Sequence, residues 1–478
     1  MKSTDLKSNS IRESGNTTVV ALLMLFVLSM VGANVLLNVT TRYDGTMKAS
    51  GWQEALFAAE AGADIGFANV RWLATGGTAN TPFASSSGWV NTSGTYTLTT
   101  GTFQQAGQGP STTWAKITVD APPTMKDQYN NQWYRVRSTG YAQLPGMSRV
   151  SIDTPSDMNA RHSNALRKYS LKVDRLTGGV VSTPQAARRI EVIVQPHPPW
   201  PSGIIANYSF TAPGSSGVVD SFDSRDSTKS TGGLYDSSKR QSNGNVICNT
   251  ANISIGGMVY GNVGDNGGNL VAGSNITGTV DNNMSMTLPP VATPTWTVIA
   301  PTPTIVDVNT TILAGTTAAP INYKISSITK SLTINPPAGL TTGAVNIWIP
   351  KDGSGNEISG SIHISPGVKC KIYIEGDIKM TLGDLDNQNN NAAYLQIYGL
   401  TPASGTVQDF TFQPGSFYGA IYAPYANIKF KGNATIMGSI VGGNIDGNGN
   451  TSVHYDEAIN GVGDVVDFRR ASYIEDYR

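Results

Sequence analysis

The sequence contains only two cysteines, Cys248 and Cys370, among 478 residues. No Cys-x-x-Cys pair occurs and no histidine lies beside either cysteine, so the common zinc and thiol-redox motifs are excluded. A disulfide requires Cα atoms about 4.4–6.8 Å apart, a distance that the sequence alone does not provide. The two cysteines are therefore expected either to form a disulfide or to be two separate buried thiols.

Charge is also scarce, because charged residues make up 14% of the chain and the 33 basic residues balance the 33 acidic ones. A chain without a net field or a basic tract has no means of attracting nucleic acid, so no nucleic-acid partner is expected. Glycine and proline are abundant instead, with 52 and 25 residues. This composition is typical of β-structure with many tight turns.

The motifs of common enzymes are missing as well. The sequence has no Gly-x-Ser-x-Gly, no His-Glu-x-x-His, no P-loop and no Gly-x-Gly-x-x-Gly. The four histidines, of which His454 is followed closely by Asp456 and Glu457, are far apart in the sequence. We therefore expect a protein that is not an enzyme, with a β-helix polysaccharide lyase or hydrolase as the catalytic alternative.

Two polar clusters are weak candidates for a metal site. Carboxylates recur at every third residue in one of them, and oxygen-bearing side chains alternate in the other, as in a calcium loop. Tyr455 occupies the position where a closing glutamate would complete an EF-hand, so solvated loops are the alternative. No cofactor is predicted, and calcium is the one ion that these patterns would admit. The candidate ligands are Asp220, Asp223 and Asp226, and Asn444, Asp446 and Asn448.

A long apolar run near the N-terminus indicates export. No charged residue occurs between Glu13 and Arg42, and residues 16–39 as a helix would span about 36 Å, enough to cross a bilayer. The charged lead is expected to stay cytoplasmic, with the rest exported. Three interpretations compete: a secretory signal peptide cut after Ala33, a signal anchor, and a prepilin leader cut after Gly15.

The residues after the apolar run continue with helical periodicity. No proline interrupts residues 16–73, so a single helix over 16–75 is predicted, first membranous and then amphipathic. A surface helix after a cleaved signal peptide is the alternative. The small residues of the stripe would let the helix approach a sheet closely. The apolar stripe comprises Trp52, Leu56, Ala59, Ala63, Gly66, Val70 and Leu73.

The N-terminal 75 residues resemble PilX-type fimbrial biogenesis proteins, which are minor pilins. The resemblance lies in the Arg-Glu-Ser-Gly leader that ends at Gly15, the apolar helix, and the Ala-Ala-Glu-Ala-Gly stretch around Glu60. It implies that a prepilin peptidase cuts after Gly15, that Asn16 becomes the N-terminus, and that the partners are other pilins. It also implies an inner-membrane anchor and a periplasmic or extracellular domain within a pilus.

Two positions depart from the usual pattern of that family. Asn16 follows the leader where Phe or Met is usual, and Val20 stands at the fifth mature position, where major pilins carry Glu. In the family that carboxylate pairs with the N-terminal amine of a neighbouring subunit. By analogy, a subunit without it is expected at the tip of a filament or in initiation of assembly.

The rest of the chain predicts two β-rich parts and hence an α+β fold. Alternating segments at 76–195, among them Tyr169–Val173, predict an antiparallel pilin-like domain. Short apolar bursts between Gly and Asn turns predict a β-solenoid or β-helix-like domain, with a β-sandwich as the alternative. A proline-rich stretch at 289–303 is expected to be a strap or a linker. The predicted plan is a leader at 1–15, the helix at 16–75, the β domain at 76–195, a linker at 196–203, the solenoid-like domain at 204–462 and a tail at 463–478.

The region around 418–458 also resembles the C-terminal domain often attached to PilX-type N-termini, which would cover about residues 200–460. The function expected from both ends is a minor pilin-like assembly component of a type IV pilus or a related pseudopilus. A signal-peptide-bearing surface protein, an adhesin or a carbohydrate binder, is the alternative. The residues expected to pack the helix against its sheet are Ala59, Glu60, Ala63 and Gly66.

Overall fold

The structure, a computed structural model, combines one long helix with two kinds of β-sheet. It describes residues 13–75, 81–103, 113–127, 131–143, 185–212, 214–268, 270, 273–299, 304–351, 353, 357–401 and 407–476. The α+β class predicted from the sequence is confirmed, because the helix is followed by a large β-rich region with antiparallel and parallel sheets.

Helix α1 runs without a break over Glu13–Thr75, which is 63 residues. It contains no proline, and every other residue type retains the backbone N–H that the helix hydrogen bonds need. The prediction of a single helix is confirmed. Residues 17–50 are exposed except for the partly buried Met47, whereas small residues between Ala55 and Val70 are buried against a sheet.

The sheet beside α1 is antiparallel throughout, and consecutive strands are neighbours. Side chains in its strands alternate between buried and partly exposed, as expected when one face packs on a helix. The predicted strand at Tyr169–Val173 lies outside the described residues. The strands are β1 (Val90–Thr92), β2 (Thr95–Thr99), β3 (Thr113–Asp120), β4 (Tyr134–Gln143) and β5 (Gln185–His197).

The region after β5 is built from strands that pair in parallel, so adjacent strands run in the same direction. The strands are β6 (Ile204–Ala212), β7 (Val218–Phe222), β8 (Val246–Cys248), β9 (Ile253–Ile255), β10 (Met258–Val259), β11 (Val263–Gly264), β12 (Val280–Asp281), β13 (Thr310–Leu313), β14 (Ile321–Lys324), β15 (Leu332–Asn335), β16 (Gly343–Ile349), β17 (Ile362–Ile364), β18 (Val368–Ile374), β19 (Ile378–Thr381), β20 (Leu385–Asn387), β21 (Leu395–Gly399), β22 (Asp409–Gln413), β23 (Gly415–Lys431), β24 (Ala434–Asn448) and β25 (Ser452–Asp456).

These strands form two parallel sheets. The larger has 16 strands with the central order β12-β11-β8-β6-β24-β23-β21-β18-β16-β14, and the smaller has the order β13-β15-β17-β20. Ile, Val and Leu side chains from successive strands stack in register, as Ile347, Ile372 and Ile397 do. Among the described strands all these pairs are parallel, whereas the sandwich considered as an alternative would have antiparallel ones.

The chain does not build the larger sheet from one end to the other. Strands β6, β8, β11 and β12 lead away from the centre, and the chain then crosses to the opposite end of the larger sheet, where β14 lies. Strand β13, which precedes β14 in the chain, belongs to the smaller sheet. From there β16, β18, β21, β23 and β24 return, and β24 pairs with β6. The crossing segment, residues 284–299, is held by hydrogen bonds from Tyr422 to Pro289 O and from Thr401 N to Val291 O. This segment is a strap; residues 300–303 of the predicted stretch lie outside the described residues.

The last strand, β26 (Asp467–Asp476), returns to the first sheet and pairs antiparallel with β5. Residues 463–478 are therefore not a separate tail, because most of them complete the six-stranded sheet beside α1. Asp467 lies opposite His197 in this pairing. The parallel region is thus joined to the first sheet at both of its ends.

The junction between the two parts is packed and not an extended linker. Strand β5 reaches His197 and β6 begins at Ile204, which leaves six residues between them. Trp200 in this segment is fully buried, and its Nε1 donates to Ile421 O over 3.3 Å. The hydroxyl of Tyr455 donates to Trp200 O over 2.9 Å.

The two cysteines are free thiols in separate strands of the parallel region. Cys248 lies in β8 and Cys370 in β18, and both are buried. Burial raises the pKa of the Cys370 thiol, since the thiolate would lie in an apolar interior. The second of the two expectations for the cysteines is therefore the one that the structure shows.

Candidate functional site

The contact between α1 and the antiparallel sheet is the first part of the candidate site. The helix presents Ala55, Ala59 and Ala63, each at most 3% exposed, to strands β3, β4 and β5. Facing them are β-branched side chains such as Ile117 and Val136, which are fully buried. Small residues on the helix allow a short distance between the helix axis and the sheet, so the apolar surfaces exclude water.

Glycines make this approach possible on both sides of the contact. A Cβ on Gly140 of β4 would overlap the backbone atoms Ala55 O and Ala59 N. On the helix, a Cβ on Gly62 would collide with Ser138 and one on Gly66 with Val136. Residues 136, 138 and 140 alternate along β4, so one face of one strand receives the helix.

Strand β26 holds the outer edge of this contact by polar groups. The Arg71 guanidinium donates Nε to Asp467 Oδ1 over 2.6 Å and Nη2 to Oδ2 over 2.8 Å. Arg470 pairs with Asp64, and the Tyr473 hydroxyl donates to Glu60 Oε1 over 3.2 Å. Glu60 therefore contributes to packing through β26 and not through burial in the core. Sequence reasoning missed these partners because β26 is 396 residues from Arg71 in the chain.

The N-terminal part of α1 is exposed and does not pack on the sheet. Within the described residues the structure has one helix long and apolar enough to cross a membrane, over Thr17–Ala74, and no residue of its most apolar stretch is buried. Leu25 and Leu28 are 69% and 71% exposed. Gly15 and Asn16 lie in the first turns of α1, and nothing is described of their side-chain surroundings.

A buried polar cluster links β7 and β25 in the parallel region. Asp220 is fully buried; its Oδ1 lies 2.6 Å from His454 Nδ1, and its Oδ2 accepts from the Tyr235 hydroxyl over 2.6 Å. The Tyr235 ring stacks on the His454 imidazole at 3.7 Å. Paired and hydrogen-bonded in this way, a buried carboxylate is satisfied, and the cluster ties the loop that carries Tyr235 to the sheet.

The other two aspartates of that triplet point to different partners. Asp223 accepts from the Arg225 guanidinium over 2.9 Å, which lowers the pKa of the Asp223 carboxyl. Asp226 accepts from the hydroxyl and the amide of Thr228, and these bonds lower the pKa of its carboxyl. The three carboxylates therefore do not converge. Within the part of the chain that the structure describes, no three His, Cys, Asp or Glu side chains are grouped so as to hold a metal ion.

The second candidate cluster is part of a strand and not of a loop. Asn444 accepts from Ser209 Oγ and donates to Asn427 Oδ1, each over 2.8 Å, in a ladder of side chains across neighbouring strands. Asp446 and Asn448 follow on the same face of β24 and are exposed. The arrangement supports strand stacking, and it does not wrap oxygens around one point.

Asp456 supplies a prediction about pH. It is fully buried; its Oδ1 accepts from the amides of Ser224 and Ala458, and its Oδ2 has no hydrogen-bond partner among the described residues. Burial, with a smaller effect of the Asp223 charge, raises the pKa of the Asp456 carboxyl. The charged form of Asp456 is thus disfavoured in the folded state. The free energy of unfolding of the protein should therefore fall as the pH rises through this raised pKa.

We expect Asp456→Asn to remove that dependence. The free energy of unfolding of the wild type, relative to that of the variant, should decrease over the pH range that begins at about 4, the ordinary pKa of an aspartate, and extends through the raised pKa of Asp456. Denaturant titrations across this range measure the difference. Asp446→Asn, at an exposed position, is the matched control, and its free energy of unfolding should vary with pH as that of the wild type does. A difference between wild type and Asp456→Asn that is constant with pH would contradict the assignment.

Comparisons with known proteins add a partial family match. A family model described as a domain of unknown function (DUF7305) matches residues 311–462, about a third of the chain, from β13 to just beyond β25. A search of curated proteins finds no match. Among solved structures, the chain is similar to the crystal structure of the competence-associated pilin ComZ from Thermus thermophilus. The identity is 11% over 89% of this chain and 97% of that chain, with a TM-score of 0.25, which does not establish a shared fold.

Proposed function

We propose that this protein is a minor pilin-like structural component of a type IV pilus or a related pseudopilus. The observation that carries the proposal is the division of α1 into two parts. One part is apolar and exposed, and the other packs on an antiparallel sheet. The role is structural, and it requires neither a catalytic group nor a cofactor.

The exposed part of α1 needs an apolar environment. Its large apolar side chains between Val19 and Val39 are 49–71% exposed. Such a contiguous apolar surface is strongly unfavourable in water, at about 25 cal/mol per Å². A lipid bilayer satisfies it before assembly, and the helices of neighbouring subunits satisfy it within a filament. The proposed location is therefore the inner membrane and then the pilus, with the β-rich parts in the periplasm or outside the cell.

Processing and position within the filament follow from the N-terminal residues. A prepilin peptidase would cut after Gly15 and leave Asn16 as the first residue, at the start of the apolar helix. Val20 then offers no carboxylate to a neighbouring N-terminal amine. A subunit of this kind can begin or end a filament without needing that charge pair, which favours the tip or the initiation complex.

The parallel region is proposed to be a β-solenoid displayed by this anchor. Successive strands stack in register, and their buried Ile and Val side chains form a continuous core. Both ends of the region are joined to the sheet that seats the helix, through β5 and β26. Because both of its ends are attached, the parallel region would be held in a fixed position at the surface of the assembly. There it would be exposed to the surroundings of the filament.

A photo-crosslinking amino acid at Leu25 tests this assembly role. In cells that express the full chain, it should crosslink to the apolar helices of other pilin-like subunits, which mass spectrometry identifies. The same photo-crosslinking amino acid placed at position 208, where Tyr208 is exposed on β6, is the control and should not crosslink to those helices. Recovery of the protein with no membrane subunit crosslinked at Leu25 would favour the alternative, an unassembled surface adhesin or carbohydrate binder.

A further inference from the structure

Three polar side chains meet on the outer face of the smaller parallel sheet. Ser361 directly precedes β17 and His363 is the middle residue of that strand, so the two lie two residues apart along extended chain and point to the same face. The intervening Ile362 is fully buried and points into the core. On the adjacent strand β20, Asp386 lies directly opposite His363 in the parallel register.

The three side chains are linked through the imidazole ring. His363 Nδ1 lies 3.2 Å from Asp386 Oδ2, and His363 Nε2 lies 3.1 Å from Ser361 Oγ. A carboxylate only accepts hydrogen bonds, so Nδ1 carries the proton of the neutral ring. Nε2 then offers its lone pair to the Ser361 hydroxyl. The Gln388 amide donates to the same Asp386 oxygen over 3.1 Å and helps to fix the carboxylate.

We propose that Ser361, His363 and Asp386 form a nucleophilic serine site that accepts small, activated acyl esters. The order of the groups is that of a nucleophile, its base and the residue that orients the base. This chemistry goes beyond the structural role and does not depend on it. No short sequence motif predicts this three-residue site, because Asp386 reaches His363 only through the register between β17 and β20.

The reaction balances with the groups present and one water. Ser361 Oγ attacks the ester carbonyl carbon while its proton moves to His363 Nε2. The tetrahedral intermediate collapses, the carbon–oxygen bond to the leaving group breaks, and that oxygen takes the proton from Nε2 to leave as an alcohol. Water then hydrolyses the acyl-Ser361 ester to a carboxylic acid and restores the hydroxyl.

The setting limits the substrate and the rate. The side chains of His363 and Asp386 are 36% and 40% exposed, so a small reagent reaches them from solvent. General-base assistance contributes about 10²–10⁴-fold, whereas a preorganised oxyanion site would add about as much again. We therefore expect measurable acylation of Ser361 by reactive esters and slow turnover.

A fluorophosphonate probe tests the site on the full-length protein in detergent. The probe forms a stable Oγ–phosphorus bond and releases fluoride, so peptide mass spectrometry reads the modified serine and its rate. Ser365, two residues after His363, is the internal control. Its Oγ donates to Asn335 Oδ1 and has no histidine partner among the described residues. His363→Gln and Asp386→Asn test the base and its orientation, with circular dichroism to verify folding.

We expect Ser361 to be labelled about 100-fold faster than Ser365, and His363→Gln to abolish this advantage. Asp386→Asn should slow labelling by at least about tenfold, because the amide does not fix the imidazole tautomer as a carboxylate does. Labelling of Ser361 at the rate of Ser365 would overturn the proposal. So would rapid labelling that persists in folded His363→Gln.

Discussion

Replacing Gly140 by valine should detach helix α1 from its sheet. A Cβ at this position would overlap Ala55 O and Ala59 N, which are backbone atoms that no rotamer change can move. The helix must shift outward, and the buried contacts of Ala59 and Ala63 with the sheet are then lost. Overpacking and lost burial together should lower the free energy of unfolding by about 3 kcal/mol or more.

Limited proteolysis and thermal unfolding of the full chain in detergent measure the effect of Gly140→Val. We expect new cleavage within residues 51–75 and a lower transition temperature for the part that contains the antiparallel sheet. Gly101→Val is the matched control, since a Cβ at Gly101 would meet no atom within 4 Å. If both valine variants behave alike, the close approach of helix and sheet described above is wrong.

Ending the chain after Val466 should unfold the antiparallel sheet and release the helix. The truncation removes β26, and with it Phe468, which is 6% exposed in the core under α1. Loss of one buried Phe side chain alone costs about 3–5 kcal/mol. The truncation also removes Asp467, the partner of Arg71, and exposes the edge of β5. Together these losses approach the whole stability of a domain, about 5–15 kcal/mol.

The truncated chain should lose the protection of α1 against proteolysis, while the parallel region keeps its own resistant core. Tyr473→Phe, which removes only the hydroxyl that donates to Glu60, should retain that protection and is the control. If residues 467–478 were a dispensable tail, the truncated chain would show the wild-type digestion pattern. That result would contradict the assignment of β26 to the sheet.

The helix was the part of the fold most open to prediction, for local reasons. Its apolar run, its unbroken periodicity and the lack of proline all lie within one continuous segment. Such patterns express interactions between residues three or four apart, which a sequence displays directly. The alternation that predicted strands β2 to β5 is local in the same sense.

Strand β26 could not be placed in this way, because its pairing is between distant segments. Nothing within Asp467–Asp476 indicates that β5 is its neighbour, since the parallel region separates them in the chain. The same holds for the order of the larger sheet, in which β24 pairs with β6. Sequence composition indicated many short strands there, and the register between them is a property of the folded stack.

The polar candidates show why spacing alone misleads. Alternating Asn444, Asp446 and Asn448 fit a calcium loop and equally fit the outer face of a strand, because strands have a period of two. Asp220 was singled out for its spacing to Asp223, yet its partner is His454, 234 residues away in the chain. His363 was dismissed with the other histidines because they are far apart in the sequence, and Ser361 was not a candidate. Asp386 reaches His363 only through the register between β17 and β20.

The proposed role rests on an apolar helix that stays attached to the folded protein. Mass analysis of the N-terminal peptide of the protein purified from its native membranes tests this most directly. We expect a first residue of Asn16, often methylated, with the whole apolar segment retained. A first residue of Asn34, as after signal-peptide cleavage, would contradict it, because no membrane or filament anchor would remain.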